Sequence, residues 1–434
     1  MDDLGLQHLL SQMEEEDYLE EEQALRAAAM IAILIYGAEE ARLSRIRRRH
    51  PSRLYLCRPQ LLPDPRGETP WQRLFESESD RAFITTMGVD VATFYAVLLA
   101  GFSEKWYGRP IPRTDTDTQA EPRPHRRSLD AAGALGLVLH YLNSTMHEVS
   151  LQQIFALIPA TVSRYITFGL DILLETLRNM EETAISWPRT LPEFEELSTL
   201  IVARHPRLQG AFGTIDGLNL LVQTSHDMDI ENATFNGWLS EHFISSILGY
   251  SSKGLIIAAL VNAPGSWHDS RVARPIYRRL LEDTPDGFYL VADSAFPRGT
   301  AQIEGRIQAP LKIGQQIWGL PEEIEERNLF NRELLSYRQT AEWGMRALQG
   351  SFGRLRVPLE IRHSERRANL LETCVRLHNL HTNRVGINQI QAVYCQHWRY
   401  DAEQEAVWSS FEDMLFSEQR KRDRVSIYHT VATY

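Results

Sequence analysis

The feature that most constrains the fold is a series of apolar, β-rich runs that begins just after Gly210. Three runs cover residues 211–222, 243–250 and 255–262. The segment SSKG, between the second and third runs, has the composition of a hairpin turn. Because consecutive strands usually pair with each other, these runs predict an antiparallel meander.

After the meander, helix-like and strand-like segments alternate. A helical pattern covers 268–282, strand-like runs cover 287–292 and 306–312, and a longer helical pattern covers about 321–350. Such alternation is typical of crossover connections between parallel strands. We therefore predict an α/β (α+β) domain with a mixed sheet and flanking helices.

The chain before the strands has helical periodicity. A compact apolar helix is predicted over 129–142, a second helix begins at a capping box of Ser150 and Gln153, and a third covers 161–178 after Pro159. Three short helices with a tight second turn are typical of a helix-turn-helix, but any three-helix bundle has the same periodicity. Both interpretations stay open. In the first, the third helix presents to DNA the residues Thr161, Ser163 and Arg164.

Composition divides the chain into five predicted segments. Residues 109–127 contain four prolines among polar residues and have no means of forming a core, so we predict a linker. The segments are a helical N-terminal region with an acidic tail (1–108), the linker (109–127), a helical, helix-turn-helix-like region (128–208), the α/β domain (209–383) and a C-terminal tail (384–434).

The net charge does not exclude a nucleic-acid substrate. The formal charge is −11, but residues 1–22 hold nine acids and no Lys or Arg, and removing their nine negative charges leaves −2. Residues 42–53 hold six arginines and no acid. Such a run is typical of a solvated helix end, a nuclear-import signal or a DNA contact.

Cysteine usage and hydropathy favour a nuclear or cytosolic protein without a membrane partner. Cys57, Cys374 and Cys395 are far apart and form no CxxC pair, so neither a disulfide framework nor a thiolate zinc site is predicted. The apolar run 27–36 is too short to cross a bilayer. We predict that it forms a buried helix.

Four acids of the α/β domain lie inside apolar runs or at element boundaries: Asp216, Asp269, Asp293 and Glu342. A carboxylate in a buried strand loses hydration that a partner, a proton or a metal must replace. Carboxylates brought close together hold protons unless a cation neutralises them. If they converge, they favour Mg²⁺ or Mn²⁺, because no Cys/His set of the kind that zinc prefers accompanies them.

Strand periodicity predicts how the acids meet. Phe212, Thr214 and Asp216 are expected on one face of the first strand, and Val291 and Asp293 share a face of the fourth. If those strands are neighbours, the two aspartates converge at one end of the sheet. A helix packed across that end brings Glu342 between them.

Each acid also has a purely structural interpretation. Glu342 is four residues from both Arg338 and Arg346, which is the spacing of a salt bridge on a helix surface. Asp269 is placed to cap a helix. Asp293 and Asp216 have the residue type and neighbours of turn residues.

Five motifs follow one another from Gly210 to about Asn383: GTIDGLNLLVQ, FNGWLSEHFISSILGYSSKGLIIAALVNAPGSWHDS, GFYLVADSAFP, RQTAEWGMRALQGSFGRLRVPL and ETCVRLHN. This succession resembles the DDE domain of PIF/Harbinger-type transposases and their Harbinger-derived nuclease relatives. The helical region over 129–177 is similar to the helix-turn-helix that precedes the domain in that family. The resemblance implies a ribonuclease H-like fold and divalent-metal-dependent cleavage and joining of DNA.

The resemblance also implies roles for individual residues. It assigns Asp216, Asp293 and Glu342 as catalytic metal ligands and Asp269 as a fourth ligand, for two Mg²⁺ or Mn²⁺ ions. In such a site one ion activates water and the other stabilises the leaving 3′ oxygen. Gly217 is expected to leave room for a DNA backbone beside Asp216.

Arginines are expected to hold the DNA. Arg338, Arg346 and Arg354 recur at intervals of eight, so we predict that they line one side of the long helix near Glu342 and draw phosphates toward the metals. Arg164 is the DNA contact predicted for the helix-turn-helix-like region.

The function predicted from the sequence is a nuclear, metal-dependent DNA endonuclease or transposase of the PIF/Harbinger DDE type. The alternative is a domesticated relative that keeps the fold as a catalytically silent DNA- or chromatin-associated protein. A separate DNA-binding partner protein and a homo-oligomer are both compatible with either function.

Overall fold

The structure, a computed structural model, describes residues 19, 22–41, 67–112, 121–237, 239–296, 303, 305–312, 315, 317–386 and 388–395. The chain divides into two compact units, Met1–Pro63 and Asp64–Tyr434. The described part of the first unit is dominated by a helix, α1, over residues 22–41. Its large apolar side chains are exposed, so the prediction of a buried helix over 27–36 was wrong. The basic run 42–53 lies outside the described residues.

The second unit begins with helices that precede the sheet. These are α2 (Pro70–Glu76), α3 (Asp80–Met87), α4 (Val91–Val97), α5 (Ser103–Gly108), α6 (Ala131–Asn143), α7 (Glu148–Phe155), α8 (Pro159–Arg178) and α9 (Leu191–Val202), with a π-helical turn at Leu98–Phe102. Helix α6 is buried on nearly every side because its sequence is apolar all round. It packs against α8 and α3 and forms the centre of this helical region.

Helices α7 and α8 differ in detail from their predicted bounds. Helix α7 begins at Glu148 after an N-cap at His147, so the predicted capping box at Ser150 was wrong. Ala156 adopts the left-handed conformation that ends the helix. The axes of α7 and α8 differ by 95°, an angle found in helix-turn-helix units and in other bundles. DNA binding by α8 therefore stays a prediction.

The predicted linker is anchored to the helices at both of its described ends. Arg109 forms an ion pair of 2.5 Å with Glu175 of α8. Arg127 is buried, and its guanidinium lies 4.9 Å from the ring centre of Trp106. An arginine packed on an aromatic ring holds its segment in place through cation–π attraction.

The sheet contains the strands β1 (Ala211–Leu221), β2 (Phe235–Asn236), β3 (Glu241–Ser251), β4 (Ile256–Pro264), β5 (Tyr289–Val291) and β6 (Ile307–Gln308). Strand β3 pairs antiparallel with both β1 and β4, which confirms the predicted meander. Strands β5 and β6 continue the sheet in parallel on the other side of β1. This mixed order is consistent with a ribonuclease H-like fold.

Helices cover both faces of the sheet. The helices of this part are α10 (Met228–Thr234), α11 (Asp269–Val272), α12 (Arg274–Glu282), α13 (Pro321–Ser351), α14 (Ser364–Arg384) and α15 (Gln389–Tyr394). Helices α13 and α14 pack against β1, β3 and β4, and their core includes Leu218, Leu248 and Tyr250. A second core, on the other face, joins α9 and α12 to Ile215 and Ile247.

An irregularity in β1 changes which residues share a face. The pairing of β1 with β5 shifts between Ala211 and Gly213, which places one extra residue in β1. Phe212 therefore packs in the second core with Ile215, whereas Leu218 and Leu220 pack in the first. The prediction that Phe212 shares the face of Asp216 was wrong, because simple alternation does not allow for a bulge.

The first core extends from the N-terminal helices through the sheet to α15, so the described helical region and the α/β region of the second unit share one interior. Cys374 and Cys395 are free thiols. Among the described residues no single helix is long and apolar enough to cross a membrane, although two bent helix pairs meet that test by length and composition alone.

Gly344 lets α13 approach the sheet closely, which yields a prediction about stability. A Cβ atom at Gly344 would lie 2.4 Å from the ring of the fully buried Tyr250. We expect Gly344→Ala to lower the free energy of unfolding by about 1–3 kcal/mol through overpacking. Urea unfolding measures this change. Gly108→Ala is the control, because nothing lies within 4 Å of that Cβ position, and an equal loss in both variants would contradict the prediction.

Candidate active site

Asp216 lies in the middle of β1 on the face covered by α13. The backbone N–H of Gly217 donates a hydrogen bond of 2.8 Å to the Asp216 carboxylate. The pKa of Asp216 is raised to about 6, chiefly by burial; Asp293 and Glu342 also raise it, while the Gly217 N–H and Arg338 lower it. The folded chain therefore holds a carboxylate that is costly to ionise without a nearby cation.

Asp293 follows β5, the parallel neighbour of β1. Thr214 pairs with Val291, the last pair of the parallel β1–β5 ladder. Asp216 and Asp293 each come two residues later, so both lie just beyond the same end of this ladder. The backbone N–H of Ala295 donates to the Asp293 carboxylate at 3.1 Å. The predicted adjacency of the two strands is confirmed, and Asp293 lies close enough to raise the pKa of Asp216.

Asp269 is the first residue of α11 and lies against β1. His268, not Asp269, is the N-cap, and its ring accepts from the Ser270 N–H. A Cβ atom at Gly217 would lie 2.6 Å from an oxygen of the Asp269 carboxylate. Gly217 therefore makes room for Asp269, which corrects the expectation that it leaves room for DNA. Burial raises the pKa of Asp269, His268 lowers it, and Asp293 raises it.

Glu342 is placed near Asp216 by α13 but is held by arginines of its own helix. Its carboxylate forms an ion pair of 2.9 Å with Arg338 and one of 3.6 Å with Arg346. The structure thus contains the helix-surface salt bridges that the structural interpretation of Glu342 predicts. The same side chain still acts electrostatically on Asp216, so the two interpretations are not exclusive.

The four acids offer only oxygen ligands, which suits a hard divalent cation. Burial is the main cause of the raised pKa of Asp216, so a bound cation would stabilise the ionised form of this carboxylate. Within the described residues, however, no three His, Cys, Asp or Glu side chains converge closely enough to enclose an ion. The donor chemistry fits Mg²⁺ or Mn²⁺, and Glu342 would have to exchange its arginine partners to join the other acids.

Only part of the predicted row of arginines lies at this site. Helix α13 ends at Ser351, so Arg354 lies beyond it in a 3₁₀ turn and packs 4.5 Å from the ring centre of Tyr141. The prediction that it lines the same helix as Arg338 and Arg346 was wrong. Arg164 lies in the second turn of α8, partly buried, and shares a surface groove with Arg366.

A second group of arginines lies on α11, which begins at Asp269, and on α12. Arg271, Arg274 and Arg278 are exposed, and their spacing of three and four residues places them along one side of α11 and α12. None has an ion pair with a carboxylate in the part of the chain that the structure describes. The sequence shows this spacing, but only the structure shows that the three arginines form no ion pair among the described residues.

Comparison with known proteins agrees with this geometry. Residues 215–379 match the model of a family described as DDE superfamily endonuclease. The matched segment contains Asp216, Asp269, Asp293 and Glu342, and it is similar to a DDE transposase-like family. No curated protein and no solved structure matches the chain.

The raised pKa of Asp216 predicts a pH dependence of stability. The folded chain binds the Asp216 proton more tightly than the unfolded chain, so ionisation of this group costs stability as the pH rises through about 6. Asp216→Asn removes that cost. In buffer with a chelator, its advantage in unfolding free energy over wild type should grow by on the order of 2–3 kcal/mol from pH 4 to pH 7. Denaturant unfolding at each pH tests this, and a constant difference would contradict it.

Proposed function

We propose that this chain is a divalent-metal-dependent DNA endonuclease or transposase of the PIF/Harbinger DDE type that acts in the nucleus. The observation that carries the proposal is the partly buried Asp216 carboxylate beside Asp293 at the end of a parallel strand pair. The match of residues 215–379 to DDE superfamily endonucleases supports the reaction class.

Asp216 and Asp293 would hold the cations, with Glu342 and Asp269 as the further ligands. When bound, the ions would lower the pKa of an attacking water and stabilise the leaving 3′ oxygen. The fold of the chain would hold these four acidic side chains in position. Strand pairing fixes the two aspartates, and the close contact of Gly344 with Tyr250 fixes α13, which carries Glu342.

Arg338 and Arg346 have a second role in this proposal. Both neutralise Glu342 in the structure. When Glu342 turns toward the other acids, the two guanidinium groups lose this partner and are placed to bind phosphate oxygens next to the cleavage point. Charge-assisted contacts of this kind would position the DNA without reading its sequence.

The unpaired arginines of α11 and α12 extend this surface. Arg271, Arg274 and Arg278 carry three exposed positive charges on the helical segment that begins at Asp269. Since exposed arginines without carboxylate partners are free to bind the DNA backbone, this side of the domain is the proposed phosphate track.

A catalytically silent DNA-associated protein is the second candidate, and one observation favours it. The ion pairs of Glu342 with Arg338 and Arg346 satisfy its carboxylate without a metal. If those pairs persist on DNA, the chain binds its substrate but does not cut it. An assay that measures binding and cleavage separately distinguishes the two candidates.

Cleavage of supercoiled plasmid in Mn²⁺ or Mg²⁺ is the direct test of the proposal. We expect nicked or linear product from wild type and a loss of rate of more than roughly 100-fold in Asp216→Ala, Asp293→Ala and Glu342→Gln, because even outer-shell partners of a ligand contribute 10- to 100-fold. Glu326→Gln is the matched control on α13, since Glu326 pairs with Arg207 away from the acidic cluster.

The outcomes separate the candidates. Wild type that binds DNA without cutting it, in both cations, supports the silent protein and contradicts the nuclease. Cleavage that survives in Asp216→Ala comes from a contaminating enzyme or from another site, and it contradicts the assignment of these acids.

The proposed phosphate track has its own test. The double variant Arg274→Ala/Arg278→Ala should bind duplexes of any sequence more weakly and reduce the slope of log affinity against log salt by about 2, since each phosphate contact contributes about 0.9. Anisotropy titrations of two unrelated duplexes at several salt concentrations measure it. Arg109→Ala/Arg384→Ala is the control, because both arginines pair with glutamates. A loss confined to one duplex would indicate base reading instead.

A further inference from the structure

An exposed tryptophan stands next to the candidate site, and the proposed mechanism does not use it. Trp267 lies in the loop between β4 and α11, two residues before Asp269, and 37% of its surface is exposed. A tryptophan ring at the surface presents a flat apolar face that a ligand can cover. Its place in the chain, two residues before Asp269, puts this face near the candidate site.

The loop that carries Trp267 is held in place. The backbone N–H of Trp267 donates to the carbonyl of Pro264 at 3.0 Å, and the backbone N–H of Ser266 donates to the carbonyl of Ala233 at 3.1 Å. The side-chain amide of Asn236 donates to the carbonyl of Gly265 at 3.2 Å. A ring on a backbone fixed at three points loses little conformational freedom when it binds a flat partner.

Arg271 packs on the ring of Trp267. Its guanidinium lies 3.9 Å from the ring centre, in cation–π contact, and it has no carboxylate partner among the described residues. An aromatic ring next to an unpaired arginine combines a stacking surface with a phosphate-binding group. Proteins that bind single-stranded nucleic acid use this combination.

We propose that Trp267 and Arg271 form a stacking platform for an unpaired DNA base next to the cleavage point, with Arg271 also contacting a phosphate of the same strand. The proposal rests on the nuclease function above. A paired base inside a duplex does not expose its face, so the ligand class is a nucleotide that is single-stranded or has been displaced from the stack.

Binding to DNA hairpins in chelating buffer tests the platform without cleavage. The probes are a blunt hairpin, the same hairpin with a four-nucleotide single-stranded extension, and one whose extension is abasic. Wild type should prefer the extended hairpin over the blunt one by roughly 5-fold or more, the value expected for one base stacked on an aromatic ring. The abasic extension should lose that preference, since it keeps the phosphates and removes the base faces.

Substitutions test which side chains cause the preference for the extended hairpin. Trp267→Ala should abolish the preference, Trp267→Phe should keep part of it, and Arg271→Gln should reduce it. Trp318→Ala is the matched control, because Trp318 is 79% exposed and lies before the start of α13, more than four helical turns along the chain from Glu342. A melting temperature equal to that of wild type shows that each variant is folded.

Two results overturn the proposal: an unchanged preference in Trp267→Ala, or equal binding of the abasic and normal extensions by wild type. The experiments distinguish a failure of the proposed stacking platform from a failure of the proposed nuclease function. A chain that cuts plasmid but shows no preference for an extension retains the proposed function and loses only the platform. A chain that binds none of the hairpins contradicts both.

Discussion

The cost of burying the Asp216 carboxylate is the constraint on which the arrangement of the α/β region depends. A carboxylate on a core-facing strand position loses much of its hydration, and this loss is the main cause of the rise of the Asp216 pKa to about 6. The chain offsets part of it with the Gly217 N–H and the charge of Arg338. Placing Asp293 and Glu342 nearby increases the cost again. Carboxylates with strongly shifted pKa values cluster at functional sites, which agrees with the role proposed for Asp216.

Two glycines allow other groups to approach their backbone closely. Gly217 leaves space for the Asp269 carboxylate, and Gly344 leaves space for the Tyr250 ring below α13. A side chain at Gly217 would displace the Asp269 carboxylate, and one at Gly344 would overlap the Tyr250 ring. Both glycines have ordinary backbone angles, so close approach explains them and conformational freedom does not.

The sequence predicts those features that depend on periodicity and chain order. The meander, the crossover elements and the adjacency of the strands that precede Asp216 and Asp293 follow from apolar runs and short connections. It does not predict features that depend on packing. The bulge at Phe212, the end of α13 before Arg354 and the exposure of α1 are set by tertiary contacts that a one-dimensional pattern does not contain. The purpose of Gly217 was missed for the same reason, since Asp269 is distant in sequence.

Under the proposed function, the ion-pair and metal-ligand interpretations of Glu342 would describe two charge states of one site. In the structure, Arg338 and Arg346 supply positive charge to the Glu342 carboxylate. Bound cations would supply that charge instead, and the two arginines would then be available to phosphate groups of the DNA. Each state pairs its charges, so neither carries the penalty of an isolated buried ion. Under the proposed function the i, i+4 spacing on α13 would serve both states, and the salt bridges of Glu342 would favour the silent protein only if they persisted on DNA.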